Sequence, residues 1–352
     1  MTADYQTFDL TGPHYDLGFA QGARTERFAV PAWWPSPPEL PFAEDCARQV
    51  TEIHPPLLEE LRGYADGQRL PYDELLRGVC RRSMRLRAPH TAPLYPEGGC
   101  SSFAFVDTAG HVRVGRNYDF HPIQRVRQRL RLKPAQGRPS VGMRGSVPGG
   151  RYDGVNDAGL FIGLHVALAD EPDDPRPGMP FHLLPRLALE TCSNTREAVD
   201  LLTRVRHLHS FNYLIADPSG EMAVVEAHPT RVRVLEPSRQ SSRPGAENNP
   251  RLNQREDQPF LACTNHFRHP DMAGLQGRRK LTHSQARLAF LYQQAGRQSG
   301  YSLLTNHSVN LCGHSGGHTT LWSLTADLTA RALAYARGAP CEMEYETVPW
   351  PS

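Results

Sequence analysis

The residue of this sequence best suited to covalent chemistry is a cysteine that directly follows two glycines, Gly98-Gly99-Cys100. A thiol can attack the carbonyl of the preceding residue, and glycine tolerates the backbone geometry that this N-to-S shift needs because it lacks Cβ. Hydrolysis of the resulting thioester frees the α-amino group of Cys100. Its ordinary pKa of about 7.7–8.0 suits a general base near neutral pH. Cys100 would then be both nucleophile and base. A buried cysteine after a Gly-Gly turn is the simpler interpretation of these residues alone.

The remaining composition excludes several classes of protein. The seven cysteines are widely spaced without a Cys-x-x-Cys, so neither a disulfide framework nor a zinc ribbon is expected. The 39 basic and 37 acidic residues leave a net charge of +2, which argues against a nucleic-acid binder. Neither a secretory signal nor an apolar run of transmembrane length is visible. We therefore expect a soluble cytoplasmic protein without a membrane partner.

The predicted secondary structure changes at Cys100, from helices before it to a mixture of strands and helices after it. Before it, the pattern predicts helices over 13–29, 46–67 and 71–87, interrupted by a Pro- and Trp-rich break at 31–42. From Cys100 onward the chain reads as a mixed α/β body. That body has a hairpin at 100–107 and 112–120, strands at 159–168, 211–217, 221–228 and 261–265, helices at 180–192, 194–205 and 284–294, a long loop at 237–258 and a closing hairpin at 318–338. Cys100 would therefore begin a strand.

The order of short motifs along the chain resembles the penicillin acyltransferase family of N-terminal-nucleophile (Ntn) hydrolases. These motifs are GCSSFAF, GRNYDF, GVNDAGL, FNYLIADPSGEMAVVE, CTNH, SQAR and TTLWSLTADL, preceded by the pro-region-like GPHYDLGFAQG and HPPLLEELRGYADG. The chain is also similar to bile-salt hydrolases and penicillin V acylases. The resemblance implies an α+β fold, the four-layer αββα sandwich of Ntn hydrolases preceded by a helical leader. Autoproteolysis would separate the leader, residues 1–99, from a catalytic domain, residues 100–352.

The same resemblance assigns roles to individual residues. Cys100 matches the nucleophile. Bile-salt hydrolases carry an arginine 16 and an aspartate 19 positions later, where this chain has Arg116 and Asp119. Asp119 would hold the free amino group of Cys100 by a charge-assisted hydrogen bond, and Arg116 would favour the thiolate. Asn265 matches the oxyanion-hole asparagine. A solvated hairpin pair and a turn asparagine are the simpler alternatives.

Two further residues, Asn156 and Arg287, match positions in the substrate pocket of these families. A turn-forming asparagine and an exposed helix arginine are the alternatives. Penicillin-forming members carry a Ser-Arg-Gly near the last hairpin, whereas the matching stretch here, residues 315–320, has no arginine. Specificity for a penicillin precursor is therefore not expected.

Two other patterns are assigned no function. His307, His314 and His318 lie in a Gly-rich stretch at uneven spacing, without an obvious cysteine or carboxylate partner, so we expect no metal there. The arginines at 125, 127, 129 and 131 alternate along a predicted strand. A solvated outer face is expected, with an anionic-substrate lip as the alternative.

The expected reaction is acylation of Cys100 by a linear amide and transfer of the acyl group to water, with no cofactor or metal. One alternative is an acyltransferase that moves an acyl group from acyl-CoA or an amide to an amine. The other is an uncleaved binding or scaffold protein. The partner would be a small-molecule amide or acyl donor. The oligomeric state stays open, with a homo-oligomer as one option.

Overall fold

The computed structural model of this protein describes residues 4–28, 38–84, 99–122, 124, 126–237, 258–276, 281–295, 300–314 and 318–352. Most of the Pro-rich break, the loop before Cys100 and the loop at 237–258 therefore lie outside the described residues.

Among the described residues, the strands form two sheets with the orders β1-β4-β5-β6-β7-β8-β9-β10 and β11-β2-β3-β12-β13-β14. In chain order the strands are β1 (Asp4–Gly12), β2 (Ser101–Val106), β3 (Val112–Phe120), β4 (Val126–Pro134), β5 (Ser140–Arg144), β6 (Asp153–Asn156), β7 (Phe161–Val166), β8 (Phe211–Ala216), β9 (Met222–His228), β10 (Arg231–Leu235), β11 (Phe260–Cys263), β12 (Thr319–Asp327), β13 (Ala332–Ala336) and β14 (Tyr345–Val348). We call them the eight-stranded and the six-stranded sheet.

The helices lie outside these two sheets. They are α1 (His14–Arg24), α2 (Leu40–Ile53), α3 (Pro56–Gln68), α4 (Tyr72–Met84), α5 (Leu183–Thr191), α6 (Thr195–Arg204), α7 (Thr282–Gln294) and α8 (Gly300–Leu304), with a 3₁₀ helix at Pro270–Leu275. Helices α5 and α6 pack on the eight-stranded sheet, and α7 and α8 pack on the six-stranded one. The main core joins residues of both sheets. The fold is therefore α+β, as expected. None of the helices in the described part of the chain is long and apolar enough to cross a membrane.

The elements with the clearest local patterns form where they are predicted. The hairpin after Cys100 is β2–β3, and the closing hairpin is β12–β13. Helix α6 is capped by Asn194, whose side chain accepts a hydrogen bond from the backbone N–H of Glu197 at 2.9 Å. The Glu197 carboxylate in turn accepts from the backbone N–H of Ser193 at 2.6 Å. The sequence was sufficient to predict this helix start because the hydrogen-bonded residues lie within about one helical turn of each other.

The prediction of an all-helical leader is wrong at its first residues. Strand β1 pairs in parallel with β4, from Asp4 opposite Val126 to Gly12 opposite Pro134. Its Phe8 packs in a buried cluster with leucines of α1 and β4. The partner strand lies more than a hundred residues away in the sequence, so no local pattern could identify the pairing. The leader therefore supplies the edge strand of the eight-stranded sheet.

The arginines of β4 do not form one solvated face, so that prediction is also wrong. Arg127 is buried, and its Nη1 donates to the Tyr5 hydroxyl at 2.7 Å. Arg131 pairs with Asp9 at 3.4 Å. Arg125 lies outside the described residues. The cations of this strand thus help to hold β1 in place.

A second difference in the leader concerns the helix predicted over 46–67, which is two helices. Helix α2 ends at Ile53 and α3 begins at Pro56. Pro55 and Pro56 lack the backbone N–H groups that a continuous helix would use, so the ladder of hydrogen bonds breaks there.

Helices α1 and α3 pack so closely that their backbones are in contact. A Cβ on Gly18 would lie 1.9 Å from the carbonyl oxygen of Glu60, and one on Gly63 would lie 1.9 Å from the carbonyl oxygen of Tyr15. Only glycine fits these two positions. The two segments that resemble a pro-region are therefore packed together as a unit.

A buried ion-pair network joins the leader to the body. Glu190 of α5 accepts a hydrogen bond from His14 at 2.5 Å, lies 3.4 Å from His54 and pairs with Arg186. Arg186 also donates to Glu60 of α3 at 2.8 Å. Burial alone would raise the pKa of Glu190. The charge of Arg186 and the hydrogen bonds from His14 and His54 outweigh burial and hold that pKa at about 2.

This network predicts an acid-sensitive contact between leader and body. Because the folded pKa of Glu190 lies below its ordinary value of 4.5, its contribution to stability is complete above about pH 4.5 and is lost as pH falls towards 2. Replacing Glu190 with glutamine should cost about 3–5 kcal/mol near neutral pH, because Arg186 loses a buried partner. Denaturant unfolding in a Cys100→Ala background measures the free energy on one uncut chain.

The matched control is Glu221→Gln, which breaks the exposed Arg196–Glu221 pair of 3.3 Å. Exposed pairs contribute about 0–1 kcal/mol, so this variant should unfold near the wild-type midpoint. Equal effects of the two substitutions would contradict a structural role for Glu190.

Candidate active site around Cys100

Cys100 lies immediately before β2 and is only 4% exposed. The register of the β2–β3 hairpin places Ser102 opposite Arg116 and Ser101 opposite Asn117. Extending that register by one or two residues brings Asp119 to the same end of the hairpin as Cys100. The hairpin therefore explains why Arg116 and Asp119, which follow Cys100 by 16 and 19 positions, lie near it in the fold.

Arg287, on the buried face of α7, holds the backbone on both sides of the Gly99–Cys100 bond. Its Nη1 donates to the carbonyl oxygen of Gly99 at 2.5 Å, to that of Cys100 at 2.8 Å and to the Ser101 hydroxyl at 2.7 Å. Its Nη2 donates to Asn265 Oδ1 at 2.9 Å. The alternative of an exposed helix arginine is therefore wrong.

Asn265 lies directly against Gly99. A Cβ on Gly99 would fall 2.3 Å from Asn265 Oδ1, so any larger residue at this position collides with the amide. Asn265 is itself fixed, because its Nδ2 donates to the Val166 carbonyl at 2.9 Å and its backbone N–H donates to Ser284 Oγ at 2.9 Å. The amide is therefore held in one orientation at the residue that precedes Cys100.

Arg116 is completely buried between the sheets. Its Nε donates to Asp153 Oδ2 at 2.9 Å, and its Nη2 donates to the Leu164 carbonyl at 2.6 Å. Asp153 also accepts from the Trp322 indole at 2.7 Å and from the Tyr335 hydroxyl at 3.0 Å. This carboxylate on the opposite sheet therefore balances the guanidinium charge and fixes its position.

His165 completes the contacts of Arg116. Its Nε2 lies 3.0 Å from Arg116 Nη1 and 2.8 Å from Ser102 Oγ. Burial and the adjacent Arg116 charge hold the pKa of His165 well below its ordinary value. The ring is therefore neutral, and its Nε2 accepts from both neighbours.

Asp119 lies at the end of β3 and is 3% exposed. Its Oδ1 accepts from the Thr320 hydroxyl at 2.7 Å, and Thr320 Oγ1 accepts from the backbone N–H of Gly313 at 2.9 Å. Burial raises the pKa of Asp119 to about 7, although that hydrogen bond, Arg287 and Arg116 act in the opposite direction. A carboxyl group with this pKa can exchange a proton near neutral pH.

The thiol of Cys100 is surrounded by these charges. Burial raises its pKa and Asp119 adds to the effect, whereas Arg116, Arg287 and a backbone hydrogen bond from Asp119 lower it. The net pKa lies above the ordinary value, so the thiol of the intact chain is protonated at neutral pH. The site thus contains a nucleophile, a proton acceptor and a cationic donor, Arg287, at the preceding carbonyl.

The side chain of Asn156 stabilises a turn of the eight-stranded sheet. Its Nδ2 donates to the carbonyls of Leu189 and Cys192, at 3.0 and 2.7 Å, and its Oδ1 accepts from the backbone N–H groups of Ala158 and Leu160. These bonds use its amide to close the β6–β7 turn and tie it to α5. They favour the turn alternative, and a substrate contact by Asn156 stays a prediction that its geometry does not support.

The sequence does not identify the residues that hold the predicted ones. Asp153 and His165 fix Arg116, and Ser284 fixes Asn265. One signal was available: His165 is a polar residue inside an otherwise apolar strand. Ser284 lies one helical turn before Arg287 on the same buried face.

Comparison with known families places the chain. The sequence model of the acyl-coenzyme A:6-aminopenicillanic acid acyl-transferase family matches residues 106–335, which is more than half of the chain. The chain belongs to this family and is an enzyme. The matched segment contains Arg116, Asp119, Asn265 and Arg287 but begins after Cys100. The two-sheet α+β arrangement described above agrees with the fold that the resemblance implies.

The solved structures that are similar to this chain include an amidase, an acylase and a bile acid hydrolase. The N-acylethanolamine-hydrolyzing acid amidase ortholog of Caenorhabditis elegans is 17% identical, over 65% of this chain and 93% of that one, with a TM-score of 0.44. Penicillin V acylase from Agrobacterium tumefaciens is 15% identical, over 68% and 83%, with a TM-score of 0.41. Conjugated bile acid hydrolase from Clostridium perfringens is 14% identical, over 71% and 97%, with a TM-score of 0.39. None of the curated proteins matches the sequence.

Proposed function

We propose that this enzyme cuts its own Gly99–Cys100 bond and then hydrolyses linear amides through a thioester on Cys100. The observation that carries the proposal is the position of Arg287, which donates hydrogen bonds to the carbonyl oxygens of both residues of that bond. A buried thiol beside this peptide, with two guanidinium groups and a carboxyl nearby, is the arrangement that self-cleavage needs. Residues 1–99 would then be the leader and residues 100–352 the catalytic domain.

In the self-cleavage step, the Cys100 sulfur attacks the carbonyl carbon of Gly99 and the thiol proton passes to Asp119. Arg287 stabilises the negative charge that develops on the Gly99 oxygen. The C–N bond then breaks, and the nitrogen of Cys100 leaves with that proton as a free amine. Water hydrolyses the thioester, which releases Gly99 as a carboxylate and restores the thiol. Asp119 is the base in this step because the α-amino group is not yet free.

In the turnover step, the free α-amino group accepts the thiol proton and Asp119 holds it by a charge-assisted hydrogen bond. The sulfur attacks the carbonyl of an amide, the amine leaves with the proton, and water then releases the acid. Gly99 marks the place of the acyl carbonyl. Asn265 lies against it, and the N–H of Nδ2 that is not donated to Val166 would donate to the oxyanion formed by the substrate. One such donor contributes about 2.7–4 kcal/mol to transition-state stabilisation.

The second candidate is an acyltransferase, and the family match favours it. The same thioester would form from an acyl-CoA, with CoA thiol as leaving group, and an amine would take the acyl group in place of water. The two candidates share the acyl-enzyme and differ in the donor and in the acceptor.

Intact mass spectrometry followed by a substrate panel tests the proposal. The purified protein should consist of two chains, the second beginning at Cys100, and it should release acid from linear N-acyl amides. Consumption of acyl-CoA that requires an added amine would favour the transferase. A protein that stays uncut and inactive on both panels would contradict the proposal and return attention to the binding or scaffold alternative. The cytoplasmic location and any homo-oligomer stay predictions.

The role of Asp119 gives a prediction of its own. Asp119→Asn should slow self-cleavage by about 10²-fold, the lower end of the range for a general base, because the asparagine amide cannot take the thiol proton. In the wild type, the rate should rise with pH through about 7, as Asp119 loses its proton, and the variant should lack this step. The measurement is a cleavage time course on precursor that is made rapidly in acid and shifted to each pH. Equal rates and pH profiles would show that Asp119 is an ordinary strand residue.

A further inference from the structure

A cluster of two thiols and two imidazoles lies beside the active site. It consists of His307, Cys312 and His314, from the segment between α8 and β12, and of Cys341, from the turn after β13. One ligand atom of each lies within 4.8 Å of all the others. His314 Nε2 is 3.0 Å from Cys341 Sγ and 3.4 Å from Cys312 Sγ, and the two sulfurs are 3.5 Å apart.

These separations are those of a tetrahedral metal site. Zn–S and Zn–N bonds of about 2.3 and 2.0–2.1 Å give ligand-to-ligand edges of roughly 3.3–3.8 Å in a tetrahedron. The described Cys–Cys and Cys–His distances lie within a few tenths of an ångström of that range. The rings of His307 and His314 are 5.1 Å apart and nearly perpendicular, so both can face one point. Two thiolates and two imidazoles are a donor set typical of structural zinc.

A carboxylate supports this arrangement from outside. Glu342 Oε1 lies 3.4 Å from Nδ1 of His314, the ring nitrogen opposite the one that faces the sulfurs. A carboxylate in this position fixes the tautomer that leaves Nε2 free to bind metal. Metal-binding histidines almost always have such a partner, so Glu342 is a second, independent sign of a ligand.

We propose that Cys312, Cys341, His307 and His314 bind one Zn²⁺ that joins the segment before β12 to the turn after β13. The site stands on its own contacts and does not depend on the reaction of Cys100. The sequence-based expectation of no metal took the histidines to be unevenly spaced and to lack a cysteine or carboxylate partner. It missed Cys312, two residues before His314, and Cys341, which only the fold brings close.

The zinc would also act on the active site through one backbone position. Gly313 lies between two of the ligands, and its N–H donates to Thr320 Oγ1, the hydroxyl that donates to Asp119. An ion bound by Cys312 and His314 therefore fixes Gly313 on both sides. We assign to the metal a positioning role for Asp119, with no part in bond breaking.

Metal analysis of the full-length protein tests the site. Untagged protein, prepared under reducing conditions and incubated with Zn²⁺ and then desalted, should contain about one Zn²⁺ per chain. Replacement by Co²⁺ should give thiolate charge-transfer bands and the d–d bands of tetrahedral cobalt. A zinc content near zero, octahedral cobalt bands, or a Cys312–Cys341 disulfide that persists with reductant would overturn the proposal.

Variants at exposed ligands separate metal binding from folding. Cys341→Ser and His307→Ala change exposed side chains, and each should lower zinc content to below about one tenth per chain under the same desalting. Glu342→Gln should weaken zinc affinity by about 10- to 100-fold while the cobalt bands stay tetrahedral. A glutamate that only stabilises the fold would leave the zinc affinity unchanged. Cys192→Ala, at a buried thiol of the body, is the matched control and should keep full zinc. Full zinc in the ligand variants would exclude the site.

Discussion

Replacing Cys100 with alanine is expected to give a single uncut chain with no measurable turnover. In the proposed mechanism, the Cys100 thiol forms the thioester. Both steps should therefore lose at least about 10⁴-fold in rate, as when removal of a nucleophile leaves only binding and oxyanion stabilisation. Intact mass spectrometry of the purified variant measures the first loss. Amide and acyl-CoA assays measure the second, on a co-expressed leader and a body that begins with alanine.

The matched control is Cys263→Ala. Cys263 is also buried, and it lies opposite Ser102 on the neighbouring strand β11. This control shows what the loss of a buried thiol in the same sheet does to the protein. The Cys263→Ala chain should still cut itself. If the Cys100→Ala protein still splits between residues 99 and 100, Cys100 is not the nucleophile of processing.

The second large effect is expected at Arg287. Replacing it with methionine, an unbranched apolar residue, removes the donor from the Gly99 carbonyl and from Asn265 Oδ1. Loss of one oxyanion donor costs about 10²–10³-fold in rate, so the precursor should accumulate for hours or days where the wild type is already cut. A pulse-chase of newly made protein, resolved into precursor and products, measures the rate constant.

Two further variants show whether this loss is chemical. Gln285→Ala changes the exposed face of the same helix and should process at the wild-type rate. Arg287→Lys keeps the charge but loses the fixed fork of donors, so it should process at an intermediate rate. A methionine variant that folds and cuts as fast as the wild type would remove Arg287 from the mechanism.

The parts of this site that sequence could predict are those set by local geometry. The resemblance supplied Arg116 and Asp119, and the β2–β3 hairpin explains why they return to Cys100. The position of Arg287 was also accessible in principle. Ser284, Arg287, Leu288 and Leu291 follow helical spacing and form the buried face of α7. An arginine in line with two leucines indicates a buried cation with a partner.

The parts that could not be predicted depend on contacts between distant segments. Asp153 faces Arg116 from the other sheet, and Cys341 reaches Cys312 from the far side of a hairpin. Neither pairing follows from periodicity, because strand order and sheet packing decide which inward-facing residues meet. Strand β1 is the largest such case, since a parallel pair leaves no turn signal between its strands.

Strand β1 also determines what cleavage does to the molecule as a whole. On the proposed cut at Gly99, the segment that carries β1 would become a separate polypeptide, and the contacts that would hold it are the hydrogen bonds along β4 and the link from His14 to Glu190. The cleaved enzyme would then be a heterodimer derived from one gene product. Before the cut, unfolding and refolding are unimolecular; afterwards, the two pieces must find each other by diffusion. Recovery from heat should therefore depend on protein concentration for the mature enzyme and not for its precursor.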